Sequence, residues 1–159
     1  MRWVDAWAAE RSGSARCLVQ CGTSRPPTHA EWSPYLSHHE LQSALDDASA
    51  VVSHAGPGTI IECRRRGIVP IVVPRRPELG EHVDEHQVRF SHRLAVSGGI
   101  LVCEEESELR SHLDRLSDDS SAFRTPPDGA ASTETADRFA ELVTMLVEGR
   151  ARDGSWVSR

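Results

Sequence analysis

The stretch SHAGPGTIIE, residues 53–62, gathers a serine, a histidine, two glycines, a threonine and a glutamate directly behind the apolar run Ala50-Val51-Val52. The spacing predicts a strand that ends at Ser53 or His54 and a helix that starts near Pro57. Gly56 and Gly58 allow a sharp turn and leave no side chain above it. The free N–H groups at the helix start, together with the positive end of the helix dipole, make an anion site. Thr59 adds a hydroxyl donor. Glu62, about one turn further on, is poorly suited to meet a phosphate. It is well suited to accept hydrogen bonds from a pair of ribose hydroxyls, as an acid does in dinucleotide-binding folds. On spacing alone, a tight strand–helix turn with Glu62 as a dipole-favoured acid explains the same residues.

A second polar cluster leaves another apolar strand. VPRRPELGEHVDEHQ, residues 73–87, has prolines to stiffen it, then Arg75 and Arg76, then Glu81, His82, Asp84, Glu85, His86 and Gln87 at a helix start. Histidine and glutamine there can donate to sugar hydroxyls and phosphate oxygens. Arg75 and Arg76 suit phosphate contact and surface solvation equally. His82 to His86 also spell H-x-x-E-H, in which two histidines hold zinc and Glu85 acts as base. That reading lacks a third ligand on a suitable downstream helix, where only Glu104, Glu105, Glu106 and Glu108 are available. The run Arg64-Arg65-Arg66 falls at a helix C-terminus, where cations complement the dipole, and reads as a solvated helix end.

These clusters need a scaffold that brings strand ends together. Helical spacing covers residues 2–12, and CLVQCG, 17–22, reads as a buried strand ending in a glycine turn. Residues 25–35 read as a proline-broken loop. Ser37 and Glu40 form a capping box at the start of the next helix. Further on, the pattern gives strands at 50–55, 68–74 and 98–104 and helices at 57–66, 81–97 and 105–116. Residues 117–131 read as a flexible linker, 132–149 as an amphipathic helix carrying Phe139, Leu142, Leu146 and Val147, and 150–159 as a tail. Strands without polar alternation, each followed by a helix, indicate a parallel sheet covered on both faces. Ligands of such sheets bind at the carboxyl ends of the strands.

The chain has 159 residues, with 18 basic against 24 acidic side chains and a net charge of −6. That balance argues against a nucleic-acid binder and against general attraction to anionic lipid. No apolar run is long enough to span a bilayer, and the first residues lack the apolar middle of a signal peptide. A cytoplasmic protein is the reading. Cys17, Cys21, Cys63 and Cys103 form no C-x-x-C pair and read as reduced, mostly buried thiols. Trp3, Trp7 and Trp32 suit either core or partner contacts.

The segment VVSHAGPGTIIECRRRGIVPIVVPRRPELGEHVDEHQ resembles the C-terminal domain of family 28 glycosyltransferases. The blocks S-H-A-G-x-G-[ST]-x-x-E and P-R…G-E-H-x-x-x-H-Q carry the resemblance, which runs from about Trp3 to about Leu113. It is strongest to the small donor-binding subunits of two-component enzymes of bacterial exopolysaccharide synthesis. The resemblance implies an α/β, Rossmann-like parallel sheet forming the nucleotide-sugar-binding half of a GT-B fold, with residues 1–116 as the donor domain. It implies that Ser53, His54, Gly56, Gly58 and Thr59 face the diphosphate, with Gly22, Ser24 and Arg75 nearby, and that Glu62 holds the ribose. The backbone near Leu36 would read the uracil edge. Glu81, His82, His86 and Gln87 would surround the donor sugar, the last three in catalytic roles.

The implied reaction is inverting transfer of a hexosyl or N-acetylhexosaminyl group from a UDP-sugar to a lipid-linked glycan. It would need neither a metal nor another cofactor, since the UDP-sugar is the substrate. A membrane-anchored partner subunit would bind the acceptor and recruit this chain to the inner face of the plasma membrane. The alternatives are a non-catalytic nucleotide-sugar-binding module and the zinc hydrolase. The chain departs from the family in one respect: it begins inside what should be the first helix. The strand expected before it, between those at 17–22 and 51–54, is absent, which would leave two rows of buried backbone groups unpaired.

Overall fold

A computed structural model describes residues 1–75, 91–92, 94–96, 98–119 and 121–125. In chain order the elements are α1 (Arg2–Glu10), β1 (Leu18–Gln20), β2 (Glu31–Ser33), α2 (His38–Asp47), β3 (Val52–Ser53), α3 (Pro57–Arg65), β4 (Ile71–Val72), β5 (Leu101–Val102) and α4 (Glu106–Asp118). Residues 91–92 and 94–96 are also helical. Every named strand pair is parallel, as the non-alternating strands require, so the fold class is α/β. The strands fall into two sheets, β1–β2 and β3–β4–β5. The strands expected to flank an absent central strand, β1 and β3, thus belong to different sheets. The chain correspondingly divides into two compact units. One is Met1–Ser49 with Cys103–Ala122, and the other is Ala50–Val102 with the chain from Phe123 onward.

In the first unit, Trp7 and Ala8 of α1 are buried, as are Leu109 and Leu113 of α4. Asp114 joins the two helices. Its Oδ1 accepts from Trp7 Nε1 at 2.8 Å and from Arg11 Nη2 at 2.7 Å. Arg110 of α4 also donates to both carboxylate oxygens of Glu10. Trp7 is therefore core, while Trp32 is exposed. The capping box of α2 forms as the sequence predicts, with Ser37 Oγ accepting from the Glu40 amide and Glu40 accepting from the Ser37 amide.

The strand β2 corrects the proline-broken loop expected for 25–35. Its three residues carry no apolar run, so periodicity gives no sign of it. It forms because neighbours supply partners. Leu18 to Gln20 pair with Glu31 to Ser33, and Arg16 bridges to Glu31 at 3.0 Å. Parallel strands need a crossover whose own polar backbone must be satisfied. Here the crossover contains no helix, and Asp5 provides acceptors instead. The Thr28 amide donates to Oδ2 at 2.9 Å, and the His29 and Ala30 amides donate to Oδ1 at 2.7 and 3.2 Å.

The second unit holds the three-stranded sheet. The ladder extends past the short strands: Ile71 N donates to Val51 O, and Val73 N to Ser53 O. Ala55, Ile60, Val72, Leu94 and Ile100 form one buried cluster behind it. Residues 117–125 differ from the linker expected for 117–131. Helix α4 continues to Asp118, and Phe123 is fully buried. The Val69 amide donates to Phe123 O, and the Thr125 amide to Gly67 O, because the single aromatic side chain in this polar stretch has an apolar place to go. Gly67 must be glycine: its φ is +69°, and a Cβ there would lie 2.8 Å from Thr125 O. The expected helix at 132–149 and the tail lie outside the described residues.

Asp5 also generates a stability prediction. Backbone N–H donors from Thr28 and His29 hold its carboxyl below the usual carboxylate range. A depressed folded pKa stabilises the protein above the unfolded value and loses that contribution as pH falls through the folded value. Asp5→Ala should cost about 2 kcal/mol at neutral pH, the scale of charge-assisted bonds to an amide cluster. In thermal melts the gap between variant and wild type should narrow as pH falls below the ordinary carboxyl value of about 4 and on through the lower folded value. A gap that stays constant down to acid denaturation would mean the carboxylate charge is not what holds the crossover.

Candidate functional site

The second unit brings together Ser53, His54, Gly56, Gly58, Thr59 and Glu62, on β3, the turn after it and α3. The turn is made differently from the way the sequence suggests. The left-handed residue is Ala55, with φ of +63°, while Gly56 has φ of −65° and Gly58 is helical. An L-residue in that region costs roughly 1 kcal/mol. The methyl group of Ala55 is 1% exposed and belongs to the apolar cluster, which favours alanine over glycine there. The two glycines are thus not required by backbone geometry. Among the described residues, a Cβ on either would meet nothing within 4 Å. What they provide is open space over the start of α3.

Helix α3 begins with Pro57 at its first position and has no side-chain N-cap. Proline has no N–H to orphan, and helix geometry leaves the next amides, those of Gly58 and Thr59, without intrahelical acceptors. An anion fits that position. The imidazole of His54 is exposed, and its Nδ1 lies 3.0 Å from Val73 O. That carbonyl requires a proton on Nδ1, which leaves Nε2 to face solvent and ties the ends of β3 and β4 together. Ser53 Oγ is buried and has no hydrogen-bond partner among the described residues. Arg75 follows β4 and is exposed.

Glu62 is the sixth residue of α3, about one and a half turns in. Its carboxylate is paired within its own helix end. Arg66 Nη1 donates to Oε2 at 2.6 Å, and Arg65 Nη1 to Oε1 at 3.3 Å. The Arg66 guanidinium, more than any other group, holds this carboxyl below its ordinary range. The arginine run is therefore not a solvated helix end. Of the three arginines only Arg65 is exposed, and Arg64 Nη1 is buried without a partner among the described residues. The i,i+3 and i,i+4 spacing from Glu62 is the sequence signal for this pairing.

The first unit holds Gly22, Ser24 and Leu36. Gly22 has φ of +57° and its amide donates to Pro34 O at 2.9 Å, so backbone geometry asks for glycine there. The exposed Ser24 closes the turn through its amide to Cys21 O. The Leu36 amide donates to Gln20 Oε1 at 3.0 Å, a contact with no periodic sequence signal. The N–H of Leu36 is thus engaged. Glu81, His82, His86, Gln87 and Arg76 lie outside the described residues. The H-x-x-E-H motif lies there too, and among the described residues no group of three His, Cys, Asp or Glu side chains is arranged to hold a metal.

All four cysteines are free thiols. Burial pushes Cys63 up to about 12 and Cys103 up to about 11, so neither is a nucleophile. No helix among the described residues is long and apolar enough to cross a membrane.

A parallel α/β sheet with a glycine-lined helix start at a strand end is a setting in which such folds bind anionic ligands. The family model for the glycosyltransferase family 28 C-terminal domain matches residues 5–143, and the chain belongs to that family. It is therefore a glycosyltransferase domain of the donor-binding kind, a Rossmann-like half of a GT-B architecture. No solved structure matches the chain.

The open surroundings of Gly58 give a test of its role. Gly58→Ala should leave the melting temperature unchanged or raise it, by a stabilisation on the order of 0.5 kcal/mol. A clear loss of stability would show that the fold, not a ligand, requires this glycine.

Proposed function

We propose that the chain is the donor-binding and catalytic subunit of an inverting glycosyltransferase. It would move a hexosyl or N-acetylhexosaminyl group from a UDP-sugar to a lipid-linked glycan in polysaccharide synthesis. The single observation that supports this reading is that, in a chain of this family, two glycines with no neighbour that demands them among the described residues stand at a helix start without a side-chain cap. In this reading the diphosphate sits over Gly56, Gly58 and Thr59, where the α3 amides and dipole stabilise it as a leaving group. Ser53, His54 and Arg75 supply further donors; the family resemblance assigns Gly22 and Ser24 to the phosphates and the backbone at Leu36 to the base. Glu62 accepts from the ribose hydroxyls. Glu81, His82, His86 and Gln87 surround the donor sugar.

The reaction balances without a metal or redox group. An acceptor hydroxyl oxygen attacks the anomeric carbon from the face opposite the diphosphate. The bond from that carbon to the diphosphate oxygen breaks, UDP leaves with the electron pair, and the hydroxyl proton passes to a base. The acceptor and that base come from a membrane-anchored partner subunit, which also brings the cytoplasmic chain to the membrane.

Titration calorimetry tests the nucleotide half of this reading. Glu62→Ala should weaken UDP binding by about 2 kcal/mol, the scale of a hydrogen bond to a charged group. It should weaken 2′-deoxy-UDP far less. Equal losses for both nucleotides would remove the ribose role. For the sugar, Gln87→Ala should depress UDP-sugar turnover in the presence of the partner while UDP affinity stays within about twofold, a difference below 0.5 kcal/mol. A comparable fall in UDP affinity would move Gln87 to the nucleotide.

A further inference from the structure

The ribose reading treats Glu62 as an acceptor, yet its carboxylate already has two arginine partners, and they are not equivalent. Arg66 Nη1 donates to Oε2 at 2.6 Å and to the main-chain oxygen of the same glutamate at 3.1 Å. One guanidinium nitrogen thus ties the carboxylate to the end of α3. Arg65 Nη1 reaches the other oxygen, Oε1, at 3.3 Å. The Arg66 side chain is 19% exposed and the Arg65 side chain 60%. Short, half-buried charge-assisted bonds are the strong ones, whereas long, exposed ion pairs contribute roughly 0–1 kcal/mol. Oε2 is anchored and Oε1 is exchangeable.

We propose that Arg66 is a positioning residue for nucleoside-diphosphate recognition: it fixes Glu62 Oε2 so that Oε1 is presented to a vicinal diol, and Arg65 is the partner that the diol displaces. The proposal rests on the reading of Glu62 as the ribose acceptor. Its physical basis is preorganisation. A glutamate side chain has several rotatable bonds, and a diol contact demands one arrangement of them. Ordering the side chain before binding removes that entropic cost from the binding step. Glutamate preceding arginine by four residues is the favourable helical orientation. The same guanidinium holds the carboxyl below its ordinary range. A diol hydroxyl competes with the 3.3 Å contact of Arg65 and leaves the 2.6 Å contact of Arg66 in place.

The proposal predicts opposite behaviour for two adjacent arginines, and calorimetry on the full chain with UDP and 2′-deoxy-UDP reads it. Wild type should prefer UDP, and Glu62→Gln should lose the preference. Arg66→Gln should lower UDP affinity about tenfold, the equivalent of one good hydrogen bond, with 2′-deoxy-UDP affinity nearly unchanged. Arg66→Lys, which restores a donor and a charge, should recover part of the loss. Arg65→Ala should bind UDP as tightly as wild type or more tightly. The positioning role is overturned if Arg66→Gln keeps the wild-type preference for UDP. It is also overturned if both Arg66 variants lose the two nucleotides equally, or if Arg65→Ala loses as much as Arg66→Gln. A wild-type chain without preference, or a preference that survives Glu62→Gln, sinks the ribose reading itself and the positioning role with it. A preference lost in Glu62→Gln but intact in Arg66→Gln sinks the positioning role alone.

Discussion

The left-handed residue between β3 and α3 is the constraint on which the second unit depends. Within the few residues after Ser53 the backbone must leave an extended ladder and enter a helix, and Ala55 makes the change at φ of +63°. The strain is tolerated because the methyl group is buried among Ile60, Val72, Leu94 and Ile100. Reversing the chain at that point sets where α3 begins. It also sets which strand end its amides accompany and where the side chains of Ser53 and His54 stand. The hydrogen bond between His54 and Val73 O then fixes the ends of β3 and β4 against each other.

Two kinds of glycine are distinguished by this geometry. Gly22 and Gly67 have positive φ, and the second lies against Thr125 so closely that a methyl group would collide. Their glycines serve the fold. Gly56 and Gly58 have ordinary backbone angles and, among the described residues, nothing near them, so nothing described gains from their lack of a side chain. Glycine at such a place carries an entropic cost. A ligand that must approach the backbone gives that cost a purpose, which is why these two residues weigh more in the functional reading than the left-handed glycines do.

Both units use a carboxylate to satisfy groups that secondary structure leaves over. Asp5 accepts from three consecutive amides of a helix-free crossover, and so allows two short parallel strands to stand side by side. Glu62 accepts from arginines that follow it on its own helix. The two differ in what they are bonded to. Asp5 is committed to backbone donors that cannot leave. Glu62 has one firm and one loose side-chain partner, and a loose partner is one that a ligand hydroxyl can replace.

By itself, the sequence determined the parallel α/β class, the capping box of α2, the strand–turn–helix unit at 50–65 and the family. Each is encoded locally, in apolar runs without alternation, in cap residues at fixed offsets, or in glycines and prolines at a helix boundary. Strand β2 was not legible, because Glu31, Trp32 and Ser33 carry no strand pattern and pair only where Asp5 and Arg16 hold them. The role of Phe123 was not legible either, since a lone aromatic in a polar stretch reads as linker until the backbone at Ile68 and Val69 offers that stretch a partner. The spacing that pairs Glu62 with Arg65 and Arg66 was visible, but it fits a solvated helix end equally well. The fold chose between the two by half-burying Arg66 beside the carboxylate and leaving Arg65 in solvent. The same holds for the turn. The letters Ala-Gly-Pro-Gly suggest that a glycine takes the left-handed angle, and packing of the Ala55 methyl group assigned it to alanine instead.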